Sequence, residues 1–304
     1  MLKYISGKDG EVFHLSSENV RARIKTAGFY DYEWEPEEIE QTIGSVLTNI
    51  GKRAARYELT VDFIGDKETR AKLADAFFEI IEKDICAKKP GRLYFKDYYL
   101  ECFVYGSKFG GKDQRTRAVQ KRVKAYAFYP FWIREFSINI PPSGKPNADG
   151  LVYDYVYGYP YGSNNMSVTF VNDHFTECDF KMCAHGQFEK LRFAINEHMY
   201  EVNVSCQKGE RVVVDTKNKT IIKIDAKGNE KNVFGYQNFA YDNFKKMPAG
   251  SNVLSYSRTH GMDLIFYQER SEPKWRSEEK TTYRIVTEDG YYIVTEDGRY
   301  LVTE

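Results

Sequence analysis

Residues able to do chemistry are thinly scattered along this chain. His174, Cys178, Cys183 and His185 bring two thiols and two imidazoles close together, and these are zinc-binding side chains. Their spacing lacks the paired C-x2-C of a structural zinc site, and Asp179 to Met182 between them reads as a strand. His260 and Asp263 are near neighbours, but no G-x-S-x-G serine or companion cysteine accompanies them. Carboxylates are plentiful, yet no two share an apolar context that would separate their pKa values, as a polysaccharide-cleaving acid–base pair requires. Gly106-Ser107-Lys108-Phe109-Gly110-Gly111-Lys112 approaches a phosphate-binding loop. Asp113 follows where magnesium needs a hydroxyl, and no apolar helix comes after it. The chain therefore offers no catalytic set, no cofactor site and no metal site, and the expectation is a protein that is not an enzyme.

The stretch around that loop carries Lys108, Lys112, Arg115, Arg117, Lys121, Arg122 and Lys124 against one acid, Asp113. Such a run suits an acidic protein surface or passing DNA. It equally suits a solvated loop leading into the outer face of a strand. The chain as a whole is balanced, 44 Lys and Arg against 44 Asp and Glu, so no global field points to sequence-specific nucleic-acid binding or to an anionic membrane. No apolar run approaches the ~20 residues of a membrane span, and the N-terminus MLKYISGKDGE turns polar too early for a signal peptide. Five widely spread cysteines (86, 102, 178, 183 and 206) favour reduced thiols over a disulfide framework. At 304 residues with 15% aromatics, the chain has the length for two domains and a composition that favours pleated surfaces and interfaces over helical bundles.

The stretch that organises the elements is Ala125 to Ile140. It alternates as a strand, breaks at Pro130 among Phe128, Tyr129, Phe131 and Trp132, then alternates again until Pro141-Pro142. This proline-broken aromatic knot reads as the end of one domain, and Tyr129, Phe131 and Trp132 become candidate interface residues. Before it, short alternations in the first thirty residues read as strands. Glu33 to Gln41, acidic and without a clear period, reads as a loop or arm. Tyr57 to Phe63 alternates as a strand. A helix follows, capped at Gly65-Asp66, with Leu73, Phe77, Ile80, Ile81 and Ile85 on one face and a stop at Pro90-Gly91. Leu93 to Phe95 and Leu100 to Tyr105 are two short strands around a turn.

After the knot, Pro141 to Asn147 reads as a linker, and Leu151 to Gly162 is dense in tyrosine. Tyr153, Tyr155, Tyr157 and Tyr159 suit buried packing, an interface or a sugar-stacking platform. Short strands then recur from Ser167 to Asp225. The most legible pair, Arg211 to Asp215 and Thr220 to Ile224, forms a hairpin about the polar Lys217-Asn218. Phe239 to Phe244, Leu254 to Tyr256 and Met262 to Gln268 continue the series, which argues a β-sandwich. The C-terminus repeats IVTEDG at Ile285–Gly290 and Ile293–Gly298. Asp-Gly between alternating runs predicts a three-strand meander whose apolar residues fall on both faces, so that Tyr283, Tyr292 and Tyr300 are further candidate interface residues.

From Met1 to about Trp275 the chain resembles the distal tail proteins of long-tailed bacteriophages. The resemblance rests on the run Tyr57 to Tyr105 with Gly91-Arg92-Leu93-Tyr94-Phe95, on Tyr129-Pro130-Phe131-Trp132, on Tyr153 to Tyr161, and on a C-terminal series. That series comprises GERVVVD at Gly209–Asp215, MPAGSN at Met247–Asn252 and QERSEPKW at Gln268–Trp275. It implies a mainly β fold with one principal helix. The expected domains are a ring-forming β domain at 1–140, a galectin-like β-sandwich at 141–276 and a β-hairpin repeat extension at 277–304 that the family does not supply. It further implies a structural baseplate protein at the distal end of the virion tail, assembled as a homohexameric ring between the tail tube and a tail-associated hub or spike protein. Receptor-binding or fibre proteins are expected partners of the C-terminal repeats. The alternative from another class is a glycan-binding sandwich that contacts the host cell wall.

Overall fold

A computed structural model describes residues 2–24, 27–113, 117–142, 166–257 and 259–276. The chain divides into two compact units. The first runs to Asp97, resumes over Cys102–Ala127 and again from Glu272; the second comprises Tyr98–Glu101 and Phe128–Ser271.

The strands of the first unit are β1 (Leu2–Ile5), β2 (Val12–His14), β3 (Val20–Arg23), β4 (Glu35–Glu40), β5 (Ser45–Gly51) and β6 (Ala55–Ile64). The helix α1 (Lys67–Ala87) follows, then β7 (Gly91–Phe95), β8 (Tyr98–Asp113, whose first four residues belong to the second unit) and β9 (Ala118–Ala127). β6 pairs antiparallel with β3 and with β9, β9 with β8, and β1 with β2 and β7. The helix starts as its sequence dictates, with the Asp66 carboxylate accepting from the Thr69 N–H at 2.7 Å and held below its ordinary pKa by that bond. Phe77, Ile80 and Ile81 are buried, and the Phe77 ring packs tilted against Phe13 with centroids 4.8 Å apart. Ile85, expected on the same face, is exposed, and the buried place one position earlier belongs to Asp84. That carboxylate accepts from Tyr4 Oη at 2.8 Å, Ser6 Oγ at 2.6 Å and the Lys8 N–H at 3.0 Å, which satisfies a buried charge and ties the helix to the N-terminal segment. Burial, with the Cys102 and Asp84 charges after it, raises the Tyr4 phenol pKa and keeps it a donor. Gly91 leaves room for that phenol: a Cβ there would sit 2.1 Å from Tyr4 Oη.

Two expectations for this unit are corrected. Glu33 to Gln41 is no loop: Glu35–Glu40 is β4, which pairs with β5 around a turn at Gln41–Gly44. Its lack of an apolar period reflects a strand exposed on both faces. The basic stretch from Gly106 is likewise no loop, because β8 runs on to Asp113 and pairs with β9 down its length.

The second unit holds β10 (Trp132–Ile140), β11 (Met166–Asn172), β12 (Asp179–His185), β13 (Leu191–Ile195), β14 (His198–Val202), β15 (Arg211–Asp215), β16 (Thr220–Ile224), β17 (Glu230–Asn232), β18 (Gly250–Tyr256) and β19 (Gly261–Arg270). One sheet has the order β17-β16-β15-β12-β19-β10 and the other β11-β18-β13-β14. Alternate residues of the two meet in one core, with Phe180, Met182, Val212, Val214, Leu264 and Phe266 from the first and Leu191, Phe193, Tyr200, Val202 and Leu254 from the second. This is a β-sandwich. The Lys217-Asn218 hairpin forms as expected, its turn capped by the Asp215 carboxylate, which accepts from the Lys217 and Asn218 N–H groups at 3.0 and 3.1 Å. Phe239 to Phe244, expected as a strand, is a chain of turns. Asn238 and Asp242 side chains accept from the backbone two residues on, at Ala240 and Phe244, and this local bonding competes with a ladder.

Candidate self-assembly surface

The β4–β5 hairpin is the least covered part of the described chain. Every residue of β4 after Glu35 and every residue of β5 before Gly51 is exposed. Among them stand Ile39, Val46, Leu47 and Ile50, with Ile43 of the turn 92% exposed. Glu35, Glu37, Glu38 and Glu40 lie on β4 with Ile39, and Val46, Leu47 and Ile50 lie on β5. Polar bonds fix the ribbon internally: Thr48 Oγ1 donates to the Glu37 carbonyl at 2.8 Å, Ser45 Oγ donates to Glu38, and a bulge at Glu37/Glu38 adds twist. At its base Arg53 pairs with Glu35, and Lys52 Nζ lies 5.5 Å from the Tyr32 ring centre and 5.7 Å from that of Trp34. Burial lowers the Lys52 ammonium to about 8.

The β8–β9 hairpin carries the opposite charge. Register sets Lys108 beside Arg122 and Phe109 beside Lys121, with bulges at Val104/Gly106 and Phe109/Gly111. Phe109, Lys108, Lys112 and Arg122 are exposed. Arg117, exposed at the turn with φ 50°, offers its carbonyl to Arg70 Nη1 at 2.9 Å. Arg115 lies outside the described residues. Gly106, Gly110 and Gly111 lie in this bulged strand.

The aromatic knot is buried only in part, with Phe128 exposed. Trp132 is fully buried and offers no surface to a partner. Tyr129 and Phe131 are half-buried, with rings 5.0 Å apart. Tyr129 Oη donates to Glu269, and burial together with that bond raises the phenol pKa. Lys217 Nζ completes the cluster at 3.4 Å from Glu269 Oε1 and 5.0 Å from the Tyr129 ring centre. Tyr283, Tyr292 and Tyr300, with the predicted meander, lie outside the described residues, as does the tyrosine run 151–162.

The four thiol and imidazole residues weighed from sequence do not assemble. His174 packs on Phe175 at 4.1 Å, and Cys178 is bonded to Asn172, with burial lifting its thiol to about 11. Cys183 and His185 meet Asp263 instead, and among the described residues these make the one group of three with metal-binding donors close together. Asp263 is 78 residues from His185 in sequence, so only strand pairing could reveal the group. His260, next to Asp263 in sequence, is buried between Phe188 and Tyr256, and burial depresses its pKa.

No protein-family model and no curated protein matches the chain. Solved structures do. The crystal structure of phage SPP1 Dit (gp 19.1), described as a paradigm of the hub adsorption apparatus of phages infecting Gram-positive hosts, aligns with a TM-score of 0.53 at 10% identity, over 89% of this chain and 99% of that one. A chain of the phage P2 baseplate in its activated conformation, with Ca or with Sr, aligns with a TM-score of 0.57 at 12% identity, over 90% of this chain and all of that one. In fold, then, this chain is similar to the SPP1 Dit hub protein and to a component of the P2 baseplate.

Proposed function

We propose that the chain is a non-catalytic structural hub of a bacteriophage tail tip, made to assemble with copies of itself. The reading is supported by the fold likeness and carried by one observation, the β4–β5 hairpin. A two-stranded ribbon with apolar residues on both faces is marginal in water on its own, and an exposed patch of that kind marks an interface. Its glutamates suit the Lys108, Lys112 and Arg122 surface of a second copy. The two patches differ, which supports a head-to-tail contact, and a contact of that kind closes as a ring where its rotation permits. Six copies are the number the resemblance implies. The ring then joins the tail tube to a hub or spike protein at the distal end of the virion tail, with receptor-binding or fibre proteins docking through 277–304.

Mass photometry and negative-stain microscopy of the full chain test this. The expected result is a sixfold ring; a strict monomer at high concentration overturns it. The triple variant Glu37→Lys, Glu38→Lys, Glu40→Lys should abolish the ring. Adding Lys108→Glu, Lys112→Glu and Arg122→Glu to the same chain should restore it, and a ring indifferent to both sets would remove the hairpin from the interface.

A further inference from the structure

The first unit carries an open groove of about 610 Å³, lined by Arg56 of β6, Ile85 and Lys88 at the end of α1, Phe103 and Tyr105 of β8, and Tyr126 of β9. Its walls have local causes. Asp84 takes the buried place on the helix and leaves Ile85 exposed. Tyr105 is the extra residue of the bulge between Val104 and Gly106, and a bulge re-aims the side chain it frees, here into an exposed position. Phe103 and Tyr126 are partners across the ladder, and the Tyr105 and Tyr126 rings meet edge to face with centroids 6.4 Å apart. Against these four apolar residues stand two exposed cations, Arg56 and Lys88, and among the described residues neither makes an ion pair. The ladder continues from Phe103–Tyr126 to Gly106–Lys124 and Lys108–Arg122, so the groove adjoins the basic surface of the β8–β9 hairpin.

We propose that this groove receives the tip of the β4–β5 hairpin of a second copy, with Ile39, Ile43 and Val46 packed on its apolar walls and the hairpin glutamates meeting Arg56 and Lys88. The inference rests on the ring reading and names the apolar half of its contact. Ile39 and Val46 are direct partners across the ribbon, and Ile43 stands on the turn beyond them. Glu38 and Glu40 flank Ile39 in sequence. The ribbon thus offers apolar residues bordered by acid, and the groove offers apolar residues bordered by unpaired cations. Both surfaces are exposed in a single chain, so the hairpin of that chain is not what covers its groove. Recognition pockets run from about 300 to 1,000 Å³, and a groove of this size takes the few side chains of a hairpin tip. Burial of the apolar residues supplies the affinity, while the opposite charges steer the encounter and fix its register.

The test places the photo-crosslinker p-benzoylphenylalanine at Ile43 of the full chain, mixes unlabelled with isotope-labelled copies and irradiates the assembly. Mass spectrometry should find that residue joined to the peptides bearing Ile85, Phe103, Tyr105 or Tyr126, with pairs of one light and one heavy chain among the products. Crosslinks confined to the same chain, crosslinks to other surfaces, or none at all would overturn the proposal. A second measurement reads the groove side. Tyr105→Asp puts a carboxylate among the apolar walls and should raise the chain concentration needed for half assembly at least about tenfold, whereas Tyr105→Phe should leave it within about twofold. Because Tyr105 is exposed, both dilute variants should melt as the wild-type chain does. A ring that forms equally well with Tyr105→Asp would overturn the groove and leave the ring reading standing. A wild-type chain that stays monomeric would overturn both.

Discussion

β15–β16 and β4–β5 are both antiparallel hairpins, and both carry branched apolar side chains. In the first, Val212, Val214 and Ile221 are fully buried, because β12 and the facing sheet supply the other half of a core. In the second, Ile39, Val46, Leu47 and Ile50 are exposed, and among the described residues β4 pairs only with β5. Local sequence makes a ribbon in either case; what differs is whether the same chain covers it. The uncovered ribbon is therefore where another molecule has to be sought.

The comparison is sharpest when a charge is placed in each ribbon. Val214→Asp buries an unpaired carboxylate in the sandwich core and should cost roughly 4 kcal/mol or more, read as a collapsed urea midpoint. A shift below about 1 kcal/mol would mean that β15 is not core. Next in size is Asp84→Ala in α1. It leaves the Tyr4 hydroxyl without its acceptor beneath the helix and should cost roughly 2–4 kcal/mol, with helix amides losing hydrogen-exchange protection first. Leu47→Asp in β5 should instead change the stability of the dilute monomer by less than about 0.5 kcal/mol while abolishing the ring in mass photometry. Equal destabilisation by Leu47→Asp and Val214→Asp would erase the distinction between the two ribbons.

The smallest expected effect concerns the base of the exposed ribbon. Burial lowers the Lys52 pKa from 10.5 to about 8, so its charged form is penalised in the folded state. That penalty is fully present below about pH 8. Between about 8 and 10.5 the unfolded chain holds more protons, and folded stability gains with rising pH. Urea midpoints of the wild-type chain should rise relative to Lys52→Met across that window. A flat difference would show Lys52 solvated and the ribbon base open.

Much of the fold was legible because its signals are local. Alternation located β6, short strand-like runs with turn signals located β12, β13, β15, β16 and β19, and the cap Asp66 with the apolar recurrence through Ile81 located α1. The misreadings share a cause. Glu33–Gln41 has no period because neither face of β4 is buried within the chain, and Phe239–Phe244 has strand-like composition while Asn238 and Asp242 bond their own backbone. Ile85 and Asp84 exchange places because the buried carboxylate is satisfied where three donors converge, and all three come from residues 76 to 80 positions away. Trp132 looked like an interface anchor because an aromatic beside a proline has the same composition whether it faces a partner or its own core.

By itself, the sequence determined the β-rich class, the single capped helix, the proline break at the aromatic knot and the balance of charge, since each follows from side-chain period, backbone chemistry or counting. Tertiary structure alone decided which ribbon was left uncovered, which carboxylate was buried and which thiol, imidazole and acid came together. Those outcomes depend on strand register between distant segments, where a shift of one residue turns every side chain to the other face.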